Sequence, residues 1–130
     1  MQIKRLQIDD YLCLVDFDIV FDTVSGGSST ILIGENGAGK STMIECILNI
    51  LMSFDSPAIE KQIDYSYSME YNYAQKAVCI VQSNHNYRIT VDDAFCEGGY
   101  KRVRSFIQSH SLFPQRIIAF YSGANNKLLP

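Results

Sequence analysis

The strongest constraint on the fold of this chain is a glycine-rich pattern near its N-terminal third. Residues 34–41 read G-E-N-G-A-G-K-S and fit G-x-x-x-x-G-K-[ST], the pattern of a phosphate-binding loop. A mostly apolar run at residues 30–33 precedes it, and a stretch rich in Met, Ile and Leu follows at residues 41–54. The run predicts a short buried strand and the stretch predicts a helix. The loop is therefore predicted to join a strand to a helix, as phosphate binding requires.

The residue types within the loop suit a bound nucleotide. Three glycines without a Cβ allow the backbone to turn sharply and to approach phosphate oxygens. Backbone N–H groups of the loop and of the helix N-terminus can then point at the anion. Lys40 is predicted to reach the β- and γ-phosphates and Ser41 to ligate Mg²⁺. The predicted nucleotide-binding residues are Gly34, Asn36, Gly37, Ala38, Gly39, Lys40, Ser41 and Thr42.

Composition narrows the class of protein. A chain of 130 residues, with 47% hydrophobic and 19% charged residues, predicts one soluble globular domain. The net charge of -3 gives no general attraction to nucleic acid or to anionic membranes. No membrane span or signal peptide is evident, so we expect a cytoplasmic protein. Four well-separated cysteines without a C-x-x-C pattern predict reduced, mostly buried thiols: Cys13, Cys46, Cys79 and Cys96.

The remaining sequence predicts strands on both sides of the loop. Before it, residues 2–9 and 12–21 are predicted strands, separated by a turn at residues 9–11. After the helix, residues 58–63 fit either a helical turn or a loop. Three further strands are predicted to form a small inserted antiparallel sheet, at residues 65–73, 76–82 and 87–91. The last predicted elements are a helix within residues 98–110 and a strand at residues 116–121.

These parts together resemble a known lobe. The pattern I-x-x-L-x-I at residues 3–8, followed by Tyr11, and I-L-I-G-E-N-G-A-G-K-S-T-M-I-E at residues 31–45 carry the likeness. They resemble the N-terminal lobe of ABC-type P-loop ATPases, in the SMC/RecF-like branch that includes the AAA-type ATPases of defence and overcoming-lysogenization systems. Residues 113–123 are similar to the strand that ends this lobe. The resemblance implies an α/β P-loop NTPase lobe, with β-strands around a phosphate-loop helix and an antiparallel β-subdomain.

The resemblance also implies a domain division and ligands. Residues 1–130 would form one ATP-binding lobe, divided into the N-terminal strands, loop and helix at 1–54, a β insert at 58–97, and a helix with a closing strand at 98–130. ATP and Mg²⁺ would be bound, with Ser41 as the magnesium ligand. The signature motif and Walker B strand of the C-terminal half are absent, so we expect a truncated chain with negligible turnover by itself.

For the complete protein, the resemblance implies ATP hydrolysis in DNA repair or phage defence. The implied partners are the C-terminal ATPase half and a second copy in an ATP-dependent homodimer, with DNA as a further candidate and no membrane. Two alternatives remain: a nucleotide-binding subunit of an ABC transporter, and a small P-loop kinase. A kinase would need lid arginines, for which Arg102 and Arg104 are the candidates.

Several other segments superficially match motifs of this class. Residues 24–28 resemble a signature motif but lie in a predicted linker, and residues 89–93 resemble a Walker B strand but fit better as a hairpin strand entering a turn at Asp92 and Asp93. Gln115 precedes the last predicted strand, so a Q-loop glutamine is in doubt, with Ser122 or Asn125 as candidate substitutes.

Two further groups have more than one interpretation. Tyr11 fits either packing or a contact to the base or ribose of a nucleotide. The basic cluster of Lys101, Arg102 and Arg104 fits a solvated face better than a DNA contact. His85 and His110 have no sequence neighbours that predict catalysis.

Overall fold

A computed structural model describes residues 1–21 and 38–113, and for residues 38–40 it describes the backbone only. Six strands and three helices lie in these ranges. In chain order they are β1 (Gln2–Tyr11), β2 (Leu14–Val20), α1 (Ala38–Ser53), α2 (Pro57–Gln62), β3 (Tyr67–Tyr73), β4 (Lys76–Ser83), β5 (Asn86–Val91), β6 (Ala94–Gly99) and α3 (Tyr100–Ser109). The predicted strands at 30–33 and 116–121 lie outside the described residues.

All six strands belong to one antiparallel sheet with the order β2-β1-β3-β4-β5-β6. β1 pairs with β2 on one side and with β3 on the other, so the N-terminal hairpin and the later strands form a continuous surface. The prediction of a small three-stranded sheet after the helix is therefore wrong in extent. Four strands follow the helix, and they extend the sheet that β1 and β2 begin.

The inner face of the sheet holds the core. Its central row crosses five strands, because register pairs Leu6 with Met69, Met69 with Ile80, Ile80 with Ile89 and Ile89 with Cys96. All five side chains are buried. Two parallel rows flank it, namely Ile3, Tyr71, Val78, Val91 and Ala94, and Ile8, Tyr67, Gln82, Tyr87 and Gly98. Burial of each large aliphatic side chain stabilises the fold by about 1.5–3 kcal/mol.

The outer face of the sheet is more polar. Arg5 on β1 forms an ion pair with Asp18 on β2, with Nη2 2.7 Å from Oδ2, and this pair lowers the pKa of the Asp18 carboxyl. Arg88 on β5 pairs with Glu97 on β6, also at 2.7 Å. Both pairs are largely exposed, so each contributes little to stability. The alternation of buried and exposed residues thus gives the sheet one packed face and one open face.

Helices cover the inner face. α1 begins three residues before the predicted helix, and its buried residues join the core, namely Met43, Cys46, Ile47, Ile50 and Leu51. α2 begins at Pro57, where the Ser56 side chain accepts a hydrogen bond from the Ile59 N–H. Val103 and Ile107 bury one side of α3. No helix in the described part of the chain combines the length and apolar composition that crossing a membrane requires.

The turn between β1 and β2 differs from the prediction. β1 continues through Tyr11, and the turn consists of Leu12, with a φ of 54°, and Cys13. Asp9 lies inside the strand, where its Oδ1 accepts hydrogen bonds from the N–H groups of Asp10 and Ser66. The carboxylate therefore links β1 to the segment that enters β3 rather than forming a turn.

A buried carboxylate joins α2 to the sheet. Glu60 Oε2 accepts a hydrogen bond from the Tyr87 hydroxyl at 2.8 Å and lies 2.5 Å from His85 Nδ1. Glu60 and Tyr87 are both buried. Burial, reinforced by this hydrogen bond, raises the pKa of Tyr87 well above its usual range, so the hydroxyl keeps its proton. Glu60 is therefore a buried acceptor for the Tyr87 hydroxyl.

We expect Glu60→Ala to reduce the free energy of unfolding by about 2–3 kcal/mol, because the buried Tyr87 hydroxyl would lose its carboxylate acceptor. Urea denaturation followed by circular dichroism measures this loss. Glu97→Ala is the matched control, since Glu97 is exposed and its ion pair contributes less than about 1 kcal/mol. Equal losses for the two variants would contradict the role assigned to Glu60.

Candidate functional site

The N-terminus of α1 lies within the predicted phosphate-binding loop. The helix begins at Ala38, and its first turn contains no acidic residue. The first N–H groups of a helix have no acceptor within the helix and carry partial positive charge, which favours an anion. The described end of the loop therefore suits a phosphate group.

The structure locates part of the predicted binding set. Gly34, Asn36 and Gly37 lie outside the described residues. The backbone of Ala38, Gly39 and Lys40 forms the start of α1. Ser41 is half-buried in the first turn, whereas Thr42 is only 7% exposed. The hydroxyl of Ser41, close to a helix end that favours anions, fits a magnesium-bound nucleotide.

The β1–β2 turn reaches the first turns of α1. The Sγ atom of Cys13 lies 3.6 Å from the Oγ1 atom of Thr42. Cys13 is exposed, contrary to the prediction of mostly buried thiols, whereas Cys46 and Cys96 are buried and Cys79 is intermediate. Sequence alone did not indicate the contact, because 29 residues separate Cys13 from Thr42 and no local pattern joins them.

Two tyrosines lie on the same side of the fold. The rings of Tyr11 and Tyr65 have centroids 4.6 Å apart and are inclined at 41°. Partial burial raises the pKa of Tyr11, and the nearby charge of Glu45 acts in the same direction. Tyr65 is buried, and its side chain interacts with that of Cys46 on α1. The contact with Tyr65 favours the packing interpretation of Tyr11.

Cys46 lies one turn after Thr42 on α1. Its side chain is fully buried, and desolvation raises the pKa of the thiol to about 11. The group is therefore a neutral thiol at neutral pH. Within residues 1–21 and 38–113, no three His, Cys, Asp or Glu side chains are grouped so that they could hold a metal ion.

The other candidate site residues in the described ranges contact neighbouring residues of the fold or are exposed. Asp92, with a φ of 47°, and Asp93 form the turn between β5 and β6, which agrees with the hairpin interpretation of residues 89–93. Arg104 donates from Nε to the Phe54 carbonyl at 3.0 Å, while Lys101 and Arg102 are exposed.

The two histidines contact neighbouring side chains. His85 contacts Glu60, and His110 packs on Phe106 with centroids 4.1 Å apart. The candidates at 24–28, Gln115, Ser122 and Asn125 lie outside the described residues.

A protein-family model described as an AAA domain matches residues 5–116. No curated protein and no solved structure matches the chain with significance. The matched range includes the glycine-rich pattern and spans most of the sequence. The family consists of P-loop ATPases that bind a nucleotide, usually with Mg²⁺. The chain therefore belongs to the AAA domain family of P-loop ATPases.

Proposed function

We propose that this chain is the N-terminal, Walker A part of an ATPase of the SMC/RecF/ABC type, and that it binds MgATP. The observation that carries the proposal is the position of α1, which begins at Ala38 inside the loop pattern and has no acidic residue in its first turn. The proposed binding residues are Gly34, Asn36, Gly37, Ala38, Gly39, Lys40, Ser41 and Thr42.

Each part of this set has a distinct role. The glycines bring backbone N–H groups close to the phosphate oxygens, and the first turn of α1 contributes further donors. Lys40 places a positive charge against the β- and γ-phosphates, and the Ser41 hydroxyl ligates the metal ion. When bound, Mg²⁺ neutralises phosphate charge and orients the transferred group. The half-buried position of Ser41 is compatible with this role.

Hydrolysis requires more than the loop. Phosphoryl transfer depends on positioning and charge stabilisation, and a further residue must orient the attacking water. We propose that this residue and the signature motif belong to a C-terminal ATPase half and to a second copy of the protein. In the complete cytoplasmic enzyme, ATP turnover would then serve DNA repair or phage defence, with DNA as a partner.

Calorimetric titration of MgATP into the chain, with phosphate release followed in the same sample, tests the proposal. We expect saturable binding without sustained turnover, because the proposal assigns the water-orienting residue to a C-terminal half and a second copy. Absence of binding would contradict the nucleotide site. Sustained turnover would contradict the proposal that the water-orienting residue lies in another half of the protein. Asp92 and Asp93 would then be the first residues to replace.

A further inference from the structure

We propose that Cys13 and Cys46 are a peroxide-sensitive thiol pair whose disulfide joins the β1–β2 turn to α1 and weakens nucleotide binding. The regulatory part of this inference rests on the proposed function of the loop. The formation of the disulfide does not, because it depends only on the described contact between the turn and the helix.

Both thiols border the same side chain. Cys13 Sγ lies 3.6 Å from Thr42 Oγ1. Cys46 follows Thr42 by four residues on α1, and residues with this spacing are neighbours on one face of a helix. The charged form of Cys13 also acts electrostatically on Cys46. Cys13 thus contacts Thr42, and Cys46 lies one helical turn further along the same face of α1.

A Cys13–Cys46 disulfide requires the β1–β2 turn to approach Cys46. A disulfide requires Cα atoms about 4.4–6.8 Å apart. Leu12 and Cys13 are exposed residues at the end of a hairpin, whereas Cys46 is fixed in a helix that packs on the core. We therefore expect the turn to move along α1, from Thr42 toward Cys46, while the helix keeps its position.

The two cysteines differ in exposure, and this difference sets the order of the steps. The exposed Cys13 thiolate attacks a hydroperoxide, so that an S–O bond forms, the O–O bond breaks and one hydroxide leaves. Cys46 then attacks the sulfenic sulfur of Cys13: the S–S bond forms, the S–O bond breaks and water departs with the Cys46 proton. Hydrogen peroxide is reduced to two water molecules, and the two thiols lose two electrons.

The disulfide is expected to affect nucleotide binding through the first turns of α1. Thr42 contacts Cys13 in the reduced protein, and Thr42 belongs to the proposed nucleotide-binding set. A disulfide would replace this contact and hold the turn further along the helix. We expect a reduction of at least about threefold in MgATP affinity, which corresponds to a modest coupling between two sites.

The experiment uses a Cys79→Ser/Cys96→Ala background, since these residues lie on β4 and β6, away from the β1–β2 turn. After hydrogen peroxide treatment, peptide mapping without reductant should identify a Cys13–Cys46 disulfide that dithiothreitol reverses. With Cys46→Ser added, a sulfenic-acid probe should label Cys13. Because burial raises the pKa of Cys46 to about 11, the disulfide-forming step should accelerate about tenfold per pH unit between about pH 7 and 9.

Three outcomes overturn the inference. A disulfide between Cys13 residues of two molecules, or stable Cys13 sulfenic acid without a disulfide, would show that Cys46 is not the partner. An intramolecular disulfide with unchanged MgATP affinity would contradict regulation. Failure of the reduced protein to bind MgATP would instead contradict the proposed function, and peptide mapping would still decide whether the disulfide forms.

Discussion

Replacement of Lys40 by alanine is expected to lower MgATP affinity at least about 100-fold, equivalent to about 2.7 kcal/mol. Lys40 is the lysine of the G-x-x-x-x-G-K-[ST] pattern, and its ammonium group would neutralise charge on the β- and γ-phosphates. The loop backbone and the helix N-terminus would remain, so the loss isolates the contribution of the side chain. Calorimetric titration of MgATP measures it, and circular dichroism checks that the fold is unchanged.

Two controls give this experiment its specificity. Lys61→Ala removes an exposed lysine from the last turn of α2 and should leave MgATP affinity unaltered. Arg102→Ala removes an exposed arginine of α3 and should also have no effect. A large loss with Arg102→Ala would favour a kinase lid, the alternative that requires an arginine there. Unchanged affinity after Lys40→Ala would place the nucleotide elsewhere.

Ile80→Ala should lower the free energy of unfolding by about 3–4 kcal/mol. Ile80 is 0% exposed and lies in β4, opposite Met69 on one neighbouring strand and Ile89 on the other. Truncation would remove apolar contacts and leave a cavity in the central row. Urea denaturation is suited to the measurement, because a change in midpoint at constant slope reports the change in stability.

The adjacent residue provides a matched control. Val81 is 40% exposed on the outer face, so Val81→Ala should cost less than about 1 kcal/mol. A one-residue slip of β4 would reverse the two results, because successive side chains in a strand point to opposite faces. A larger loss for Val81→Ala would therefore contradict the register, whereas the expected order would support it.

Much of the secondary structure follows from local patterns. The strands that correspond to β3, β4 and β5 were predicted within two residues at each end, because they are rich in β-branched and aromatic residues and alternate in polarity. The helix after the loop was predicted from its apolar content. These elements are recognisable because local propensity and tertiary packing favour the same conformation.

β6 was not predicted, since Ala94–Gly99 ends in two glycines and has few strand-forming residues. It is a strand because the Asp92–Asp93 turn returns the chain along β5, where Cys96 pairs with Ile89 and extends the buried row. The predicted position of the β1–β2 turn was also wrong. Asp9 has turn propensity, but its carboxylate accepts a hydrogen bond from the N–H of Ser66. No local sequence pattern predicts this contact.

The site was predictable only in part. The loop pattern identifies its residues because the chemistry needs contiguous glycines, a lysine and a hydroxyl. The contact between the β1–β2 turn and α1 was not predictable. The β1–β2 hairpin brings Cys13 next to Thr42, although 29 residues separate them in the sequence. Likewise, the sequence groups Arg104 with a basic cluster, but the tertiary fold brings its Nε to the Phe54 carbonyl, which follows the last residue of α1.

The strand order has a consequence for the kinetics of folding. β3 to β6 are joined by short turns and can pair as successive hairpins soon after collapse. β1 pairs with β3 across a separation of roughly 60 residues, a contact whose loop-closure entropy makes it slow. The helix that carries Ser41 and Thr42 lies within this closed segment. We therefore expect the four-stranded meander to form first and the end of the phosphate loop to become ordered late.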